Sequence, residues 1–138
     1  TVVNSEDFFK NAAKSDKIFT HVSIGRDQSA GLAYRRVKRT MHVDVPLLAV
    51  CLSVRIQDKK FSAARIAVNN GTAFAQRDAI LEQFLNGSPA TPETVGKILE
   101  HLDVNIYDKR SDEYKSHMFR VSIRSALLEL IDQSRAAS

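Results

Sequence analysis

Residues 46–68 read PLLAVCLSVRIQDKKFSAARIAV, two apolar runs on either side of the polar residues 57–60. Runs of this length, separated by a short polar turn, are typical of an antiparallel hairpin. One face of such a hairpin is commonly exposed to water, and Arg55 and Arg65 are expected on that side. The stretch therefore predicts the centre of an antiparallel sheet.

Two segments before the hairpin also alternate with a period of two, residues 17–24 and residues 31–39. This period predicts a strand in each of them. The second segment divides its side chains between two faces, with Leu32, Tyr34 and Arg36 on one and Ala33, Arg35 and Val37 on the other.

Beyond Gly71 the apolar spacing changes to that of helices, which are predicted over residues 74–85, 91–102 and 111–131. Thr91 and Pro92 suit the start of the second helix, and the Ser111 hydroxyl is expected to cap the third. The third helix is expected to bury a stripe formed by Tyr114, Met118, Val121, Leu128 and Ile131. The predicted class is α+β, a three-stranded antiparallel sheet followed by three helices packed on it.

The length of 138 residues is that of about one domain, and the net charge is +4. The single cysteine, Cys51, excludes an intrachain disulfide and a cluster held by cysteines alone, and it is expected to be a small buried side chain. The sequence shows neither a signal peptide nor the ~20 apolar residues of a membrane span, so a cytoplasmic location is expected. Nucleic-acid binding is disfavoured because only Tyr34 accompanies the basic residues 35–39.

No catalytic or metal-binding motif emerges from the residues themselves. The four histidines lack partners at metal-ligand spacing, and His117 is expected to be a half-buried structural residue. The five glycines are scattered and form no loop for a phosphate. The basic residues 35–39 allow two interpretations, a solvated edge strand or a guanidinium turned toward an anionic ligand.

Two stretches taken together point to a family. Residues 34–48 read YRRVKRTMHVDVPLL and residues 108–117 read DKRSDEYKSH. In this order and spacing they resemble the C-terminal domain of the FAD-binding (medium) subunit of molybdenum hydroxylases, the family of xanthine dehydrogenase and carbon monoxide dehydrogenase. The resemblance covers nearly the whole chain and implies the same α+β fold.

The resemblance also implies roles for particular residues. Tyr34 takes the place of the family's aromatic residue, and the family lysine that approaches the flavin falls at Arg35 or Arg36. Arginine is a departure there, because its planar fork is larger than an ammonium group. Phe19 falls where an apolar side chain packs on the isoalloxazine. Residues 1–25 would be the tail of a preceding FAD-binding domain, and residues 26–138 the flavoprotein C-terminal domain.

The implied function is that of an oxidoreductase domain that closes over the flavin while electrons pass from iron–sulfur clusters to FAD and an external acceptor. FAD would be held mostly by an N-terminal FAD-binding domain absent from this chain, so the isolated chain is expected to be inactive. Iron–sulfur and molybdopterin subunits are the implied partners. The alternative is a free-standing α+β module that binds an acidic partner and no flavin.

Overall fold

The computed structural model describes residues 3, 7, 8, 11, 20–25, 29–38, 46–72, 74–107 and 112–136. From Gly31 onward the described chain forms four strands: β1 (Gly31–Lys38), β2 (Pro46–Gln57), β3 (Lys60–Asn69) and β4 (Gln76–Arg77). Four α-helices follow: α1 (Ala79–Leu85), α2 (Pro92–Ile98), α3 (Val104–Tyr107) and α4 (Glu113–Ala136). A 3-10 turn at Leu99–His101 extends α2.

The predicted hairpin is confirmed as β2 and β3, the two central strands of a sheet with the order β1-β2-β3-β4 and antiparallel pairing throughout. Asp58 and Lys59 form its turn with φ values of 51° and 58°. Two central residues with positive φ match the right-handed twist of the strands. Strand β4 was not predicted, because the two-residue segment Gln76–Arg77 is too short to show a period.

The helices of the described chain lie on one face of this sheet, which confirms the α+β class. Helix α4 packs on β1 and β2, and α1 packs on β3. The strands contribute alternate apolar side chains to the core between the layers, among them Ala33, Val50, Leu52, Ile66 and Val68, each at most 2% exposed. Gly31 lets β1 approach α4 closely, because a Cβ there would lie 2.8 Å from Leu130 Cδ2.

Helix α4 differs from the prediction in its cap and in its buried side. It begins at Glu113, and the Asp112 carboxylate accepts a hydrogen bond of 2.8 Å from the Lys115 amide. Asp112 is thus the cap, and Ser111 lies outside the described residues.

The predicted stripe of α4 was wrong for Tyr114 and Val121, which are 59% and 42% exposed. The helix carries two neighbouring apolar rows, and spacing alone cannot say which one faces the sheet. The buried row is the one that packs against β1 and β2, where its apolar side chains are removed from water. It consists of Phe119, Ile123, Ala126, Leu127, Leu130 and Ile131. His117, expected to be half-buried, is exposed.

The residues at which the shorter helices α1 and α2 begin are set by the side chains that cap them. Thr91 accepts a hydrogen bond from the Thr94 amide and Pro92 opens α2, as predicted. Helix α1 starts at Ala79 rather than near Phe74, because Asp78 caps it by accepting a hydrogen bond of 2.9 Å from the Leu81 amide. The one-turn helix α3 was not predicted.

The described part of the segment before β1 is not a strand. Residues 20–25 have no regular secondary structure, and Val22 and Ile24 are 65% and 86% exposed. The predicted strand over residues 17–24 is therefore wrong for its described part. Phe19 lies outside the described residues, and among residues 5–13 the three that are described, Asp7, Phe8 and Asn11, are helical.

Candidate functional site

The candidate site is the sheet face opposite the helices, called here the open face. The register of the strands sets its members, because directly paired residues project to the same side. They include Leu32, Tyr34 and Arg36 of β1, Ala49, Cys51 and Ser53 of β2, Arg65, Ala67 and Asn69 of β3, and Arg77 of β4.

One row of side chains crosses the whole open face. Tyr34 pairs with Cys51, Cys51 with Ala67, and Ala67 with Arg77. Three strand spacings separate the ends of this row, about 14 Å between the Cα atoms of Tyr34 and Arg77. An aromatic ring thus stands at one edge and a guanidinium at the other, with only small side chains between.

The middle of the open face is a floor of small side chains formed by Ala49, Cys51, Ser53 and Ala67, all half-buried. Beside it on the edge strand, Leu32 and Tyr34 are 64% and 55% exposed. Small side chains bordered on one edge by the larger Leu32 and Tyr34 leave room for a planar ligand close to the sheet. Aromatic rings favour such offset-stacked contacts.

The sequence left a choice between Arg35 and Arg36, and the structure places these two arginines on opposite sides of β1. Arg36 is exposed on the open face, two residues from Tyr34 on the same side of β1. Arg35 projects to the helical side and forms an ion pair with Glu129 of α4. The open face therefore brings together Tyr34 and Arg36 but not Arg35.

Arg35 joins the edge strand to the helix through several contacts that the sequence did not reveal. Its guanidinium donates to the Glu129 carboxylate, to Ser125 Oγ at 3.4 Å and to the Tyr34 carbonyl at 3.1 Å. Gln133 donates to the other Glu129 oxygen at 2.9 Å. The alternation of β1 placed Arg35 on the helical side, but the partner lies 94 positions away and has no local signal.

A second charged group lies at the other edge of the open face. The buried Glu82 carboxylate accepts from the Ile66 amide at 2.9 Å and from Arg77 Nε at 3.1 Å, and Arg65 approaches it within 3.8 Å. Glu82 thereby satisfies a backbone donor of β3 and holds Arg77 at the end of the row.

Cys51, predicted to be buried, is half-buried in the floor. Burial raises the pKa of its thiol, which disfavours the thiolate needed for nucleophilic chemistry. Within the described residues, no three side chains of the His, Cys, Asp and Glu types stand close enough together to hold a metal ion. No helix in the same part of the chain is long and apolar enough to cross a membrane.

The buried titratable pair of the molecule lies among the helices, away from the open face. Tyr107 donates its hydroxyl to Asp78 at 2.8 Å, and Asp78 also caps α1. Burial raises the pKa of Asp78, and burial followed by the nearby Asp78 charge raises that of Tyr107. Both side chains are fully buried, so we assign the pair a structural role.

A sequence comparison identifies a family for most of this domain. The family model of the CO dehydrogenase flavoprotein C-terminal domain matches residues 32–130. No curated protein matches the sequence.

Solved structures share the fold. Carbon monoxide dehydrogenase from Hydrogenophaga pseudoflava, in a form that lacks the Mo-pyranopterin moiety, is 26% identical with a TM-score of 0.62 over 76% of this chain. Reconstituted CO dehydrogenase from Oligotropha carboxidovorans is 20% identical with a TM-score of 0.64 over 78% of the chain. Quinoline 2-oxidoreductase from Pseudomonas putida 86 is 17% identical with a TM-score of 0.60 over 76%. This chain spans 38% of the length of each matched chain.

Proposed function

Because the chain belongs to the CO dehydrogenase flavoprotein C-terminal domain family, we propose that its open face closes over the flavin in the FAD-binding subunit of a molybdenum hydroxylase-type oxidoreductase. The observation that carries the proposal is the position of Tyr34 and Arg36. They share one face of an edge strand, beside a floor of small side chains.

The open face suits the ring end of FAD. Tyr34 offers an aromatic side chain at the edge of the floor that contains Cys51 and Ala67, and a planar ring could cover that floor. The small floor lets such a ring approach the sheet without a clash and excludes water from its covered side. FAD, when bound, supplies the redox chemistry, and the role of this domain is to shape the surroundings of the ring.

Arg36 is the residue that we propose for electrostatic control. Negative charge develops at the pyrimidine end of a flavin when it is reduced, and a nearby cation stabilises that charge. The guanidinium also presents several N–H donors in a fixed plane, whereas the family lysine presents a point charge. Arg35 is not proposed for contact with the flavin, because it projects to the helical side.

The FAD diphosphate would be held by a preceding domain. The described loops around the open face contain no run of glycines that could wrap a phosphate. We propose that residues 1–25 end that preceding domain and that residues 26–138 form the C-terminal domain, with Phe19 near the ring as the resemblance implies. The exposure of Val22 and Ile24 supports this division, since apolar side chains in an alternating pattern favour burial against another surface.

The proposed assembly adds an iron–sulfur subunit and a molybdopterin subunit, as in a xanthine dehydrogenase-like enzyme. Electrons would pass through the clusters to FAD and on to an external acceptor. This domain itself would carry no catalytic residue. A cytoplasmic setting fits the half-buried free thiol of Cys51.

The test compares two exposed tyrosines in the flavoprotein that contains this domain. Tyr34 and Tyr114 are 55% and 59% exposed, but Tyr114 lies on α4 away from the open face. Tyr34→Ala should change the visible absorbance and fluorescence of the flavin, and Tyr114→Ala should leave both unchanged. Identical flavin spectra in the parent and Tyr34→Ala would rule out contact between this face and the ring.

A second candidate function rests on the charge of the same face. Arg36, Arg65 and Arg77 project from three strands, so this face presents three guanidinium groups. This arrangement also suits a module that docks an acidic partner without flavin. Purification of the natural full-length protein separates the two functions, because stoichiometric flavin supports the first and a colourless protein the second.

A further inference from the structure

We propose that the Arg35–Glu129 ion pair is a positioning device that fixes Tyr34 and Arg36 on the open face. The inference rests on the proposed function and extends it to two residues that cannot themselves touch a ligand on that face. Arg35 and Glu129 lie on the helical side of the sheet.

The need for such a device follows from the place of β1 in the sheet. Among the described strands, β1 pairs with β2 alone and has no second neighbour. An edge strand is held by one ladder of hydrogen bonds and is freer to twist or shift than a central strand. The two proposed flavin-facing residues both lie on this strand.

Besides the packing of Ala33 in the core, two specific contacts tie β1 to helix α4. At its start, Gly31 lies so close to Leu130 that a Cβ would come within 2.8 Å of the Leu130 side chain. Four residues later, Arg35 binds the Glu129 carboxylate, and Ser125 accepts a second hydrogen bond from the same guanidinium nitrogen at 3.4 Å. The strand is thus fixed both where it enters the sheet and at its middle.

The middle contact acts directly on the open face. Arg35 Nη1 donates to the Tyr34 carbonyl at 3.1 Å, so the guanidinium binds Glu129 and the backbone of β1 together. Arg35 also stands between Tyr34 and Arg36 in sequence. A shift of its side chain would therefore move the backbone from which both neighbours project.

Positioning rather than stability is the expected contribution of this pair. Its two side chains are 28% and 41% exposed, and ion pairs with this degree of exposure contribute little to folding free energy because water screens them. Gln133 holds the second Glu129 oxygen, which limits the orientations of the carboxylate. A pair that adds little stability but restricts geometry should affect the site more than the unfolding transition.

The experiment uses the complete flavoprotein and measures the flavin midpoint potential, the thermal midpoint and amide hydrogen exchange. Glu129→Gln removes the charge, Glu129→Asp shortens the side chain, and the exchange of Arg35→Glu with Glu129→Arg restores a pair of reversed polarity. Glu93→Gln is the matched control, because Glu93 binds Lys97 at 3.0 Å in an exposed pair remote from β1.

The expected result is a shift of the midpoint potential in Glu129→Gln and Glu129→Asp in the same direction as in Arg36→Gln. Amide exchange should become faster in β1 and stay unchanged in β3. The reversed pair should move the potential back toward the parent value, and Glu93→Gln should match the parent throughout.

Two outcomes would overturn the inference. If Arg36→Gln shifts the potential and both Glu129 variants do not, the open face still acts on the flavin but the ion pair does not position it. If Arg36→Gln also leaves the potential unchanged, the proposed function fails and the positioning role fails with it.

Discussion

Tyr34 and Cys51 are directly paired across β1 and β2, so the exposed aromatic ring of the open face stands beside one of its smallest side chains. Ala67 continues the same row on β3. This contrast in height, rather than any reactive group, is what makes the face suitable for a planar ligand.

The floor of the open face can be tested with two alanines of one strand. Ala67→Leu adds carbon atoms to the floor on the side away from the core, so the free energy of unfolding should change by about 0.5 kcal/mol or less. Its bulk should nevertheless displace the ring, and the flavin of the parent flavoprotein should be lost more readily on gel filtration. Ala64 is fully buried, and Ala64→Leu should instead cost about 1–3 kcal/mol by overpacking. Undiminished flavin retention in Ala67→Leu would show that the floor is not covered by the ring.

The isolated chain should fold without retaining FAD. It buries a continuous apolar core between the sheet and the helices, whereas we propose that the diphosphate is held by another domain. Purified chain mixed with FAD and desalted should show native circular dichroism and no flavin absorbance. A stoichiometric yellow chain would mean that residues 1–138 hold the cofactor unaided.

Helix α4 offers a comparison of two adjacent leucines. Leu127 is fully buried against the sheet, and Leu128 is half-buried in the neighbouring row. Leu127→Ala should lower the free energy of unfolding by about 2–5 kcal/mol, because it leaves a cavity. Leu128→Ala should cost less than Leu127→Ala in the same urea titration. Equal costs would mean that both rows are packed alike.

Asp78 gives the domain a specific pH dependence. Burial raises its pKa in the folded state, in spite of hydrogen bonds from Leu81 and Tyr107. The folded state therefore binds this proton more tightly than the unfolded state does, and the resulting stability is present below the unfolded pKa and lost as the pH rises through the folded pKa. In urea titrations between about pH 3.5 and about pH 7, Asp78→Asn should gain stability relative to the parent as the pH rises. A difference that stays constant with pH would contradict this assignment.

Much of the sheet was predictable because its signals are local. The alternation of residues 31–39 correctly placed Tyr34 and Arg36 on one face and Arg35 on the other, and the polar turn at residues 57–60 fixed the hairpin. The cap of α2 at Thr91 was equally clear, since Thr, Pro and Glu follow one another there.

The missed features depend on distant partners. Which row of α4 is buried depends on how the helix packs against the sheet. The partner of Arg35 is Glu129, a residue of the last helix that is far away in sequence. The strand expected over residues 17–24 has the right alternation but no sheet to join within the described residues. A period of two indicates that a segment can be a strand, and only a neighbouring strand can make it one.

The flavin midpoint potential of the parent flavoprotein tests most directly whether the open face lies against the flavin with Arg36 as its cation. Arg36→Gln should lower the potential, because the reduced flavin would lose a charged contact of about 1–3 kcal/mol. Lys97→Gln, a change of an exposed cation on α2 that is remote from β1, is the control and should leave the potential at the parent value. A potential in Arg36→Gln equal to those of the parent and the control would contradict the claim and leave the basic strand as a solvated edge.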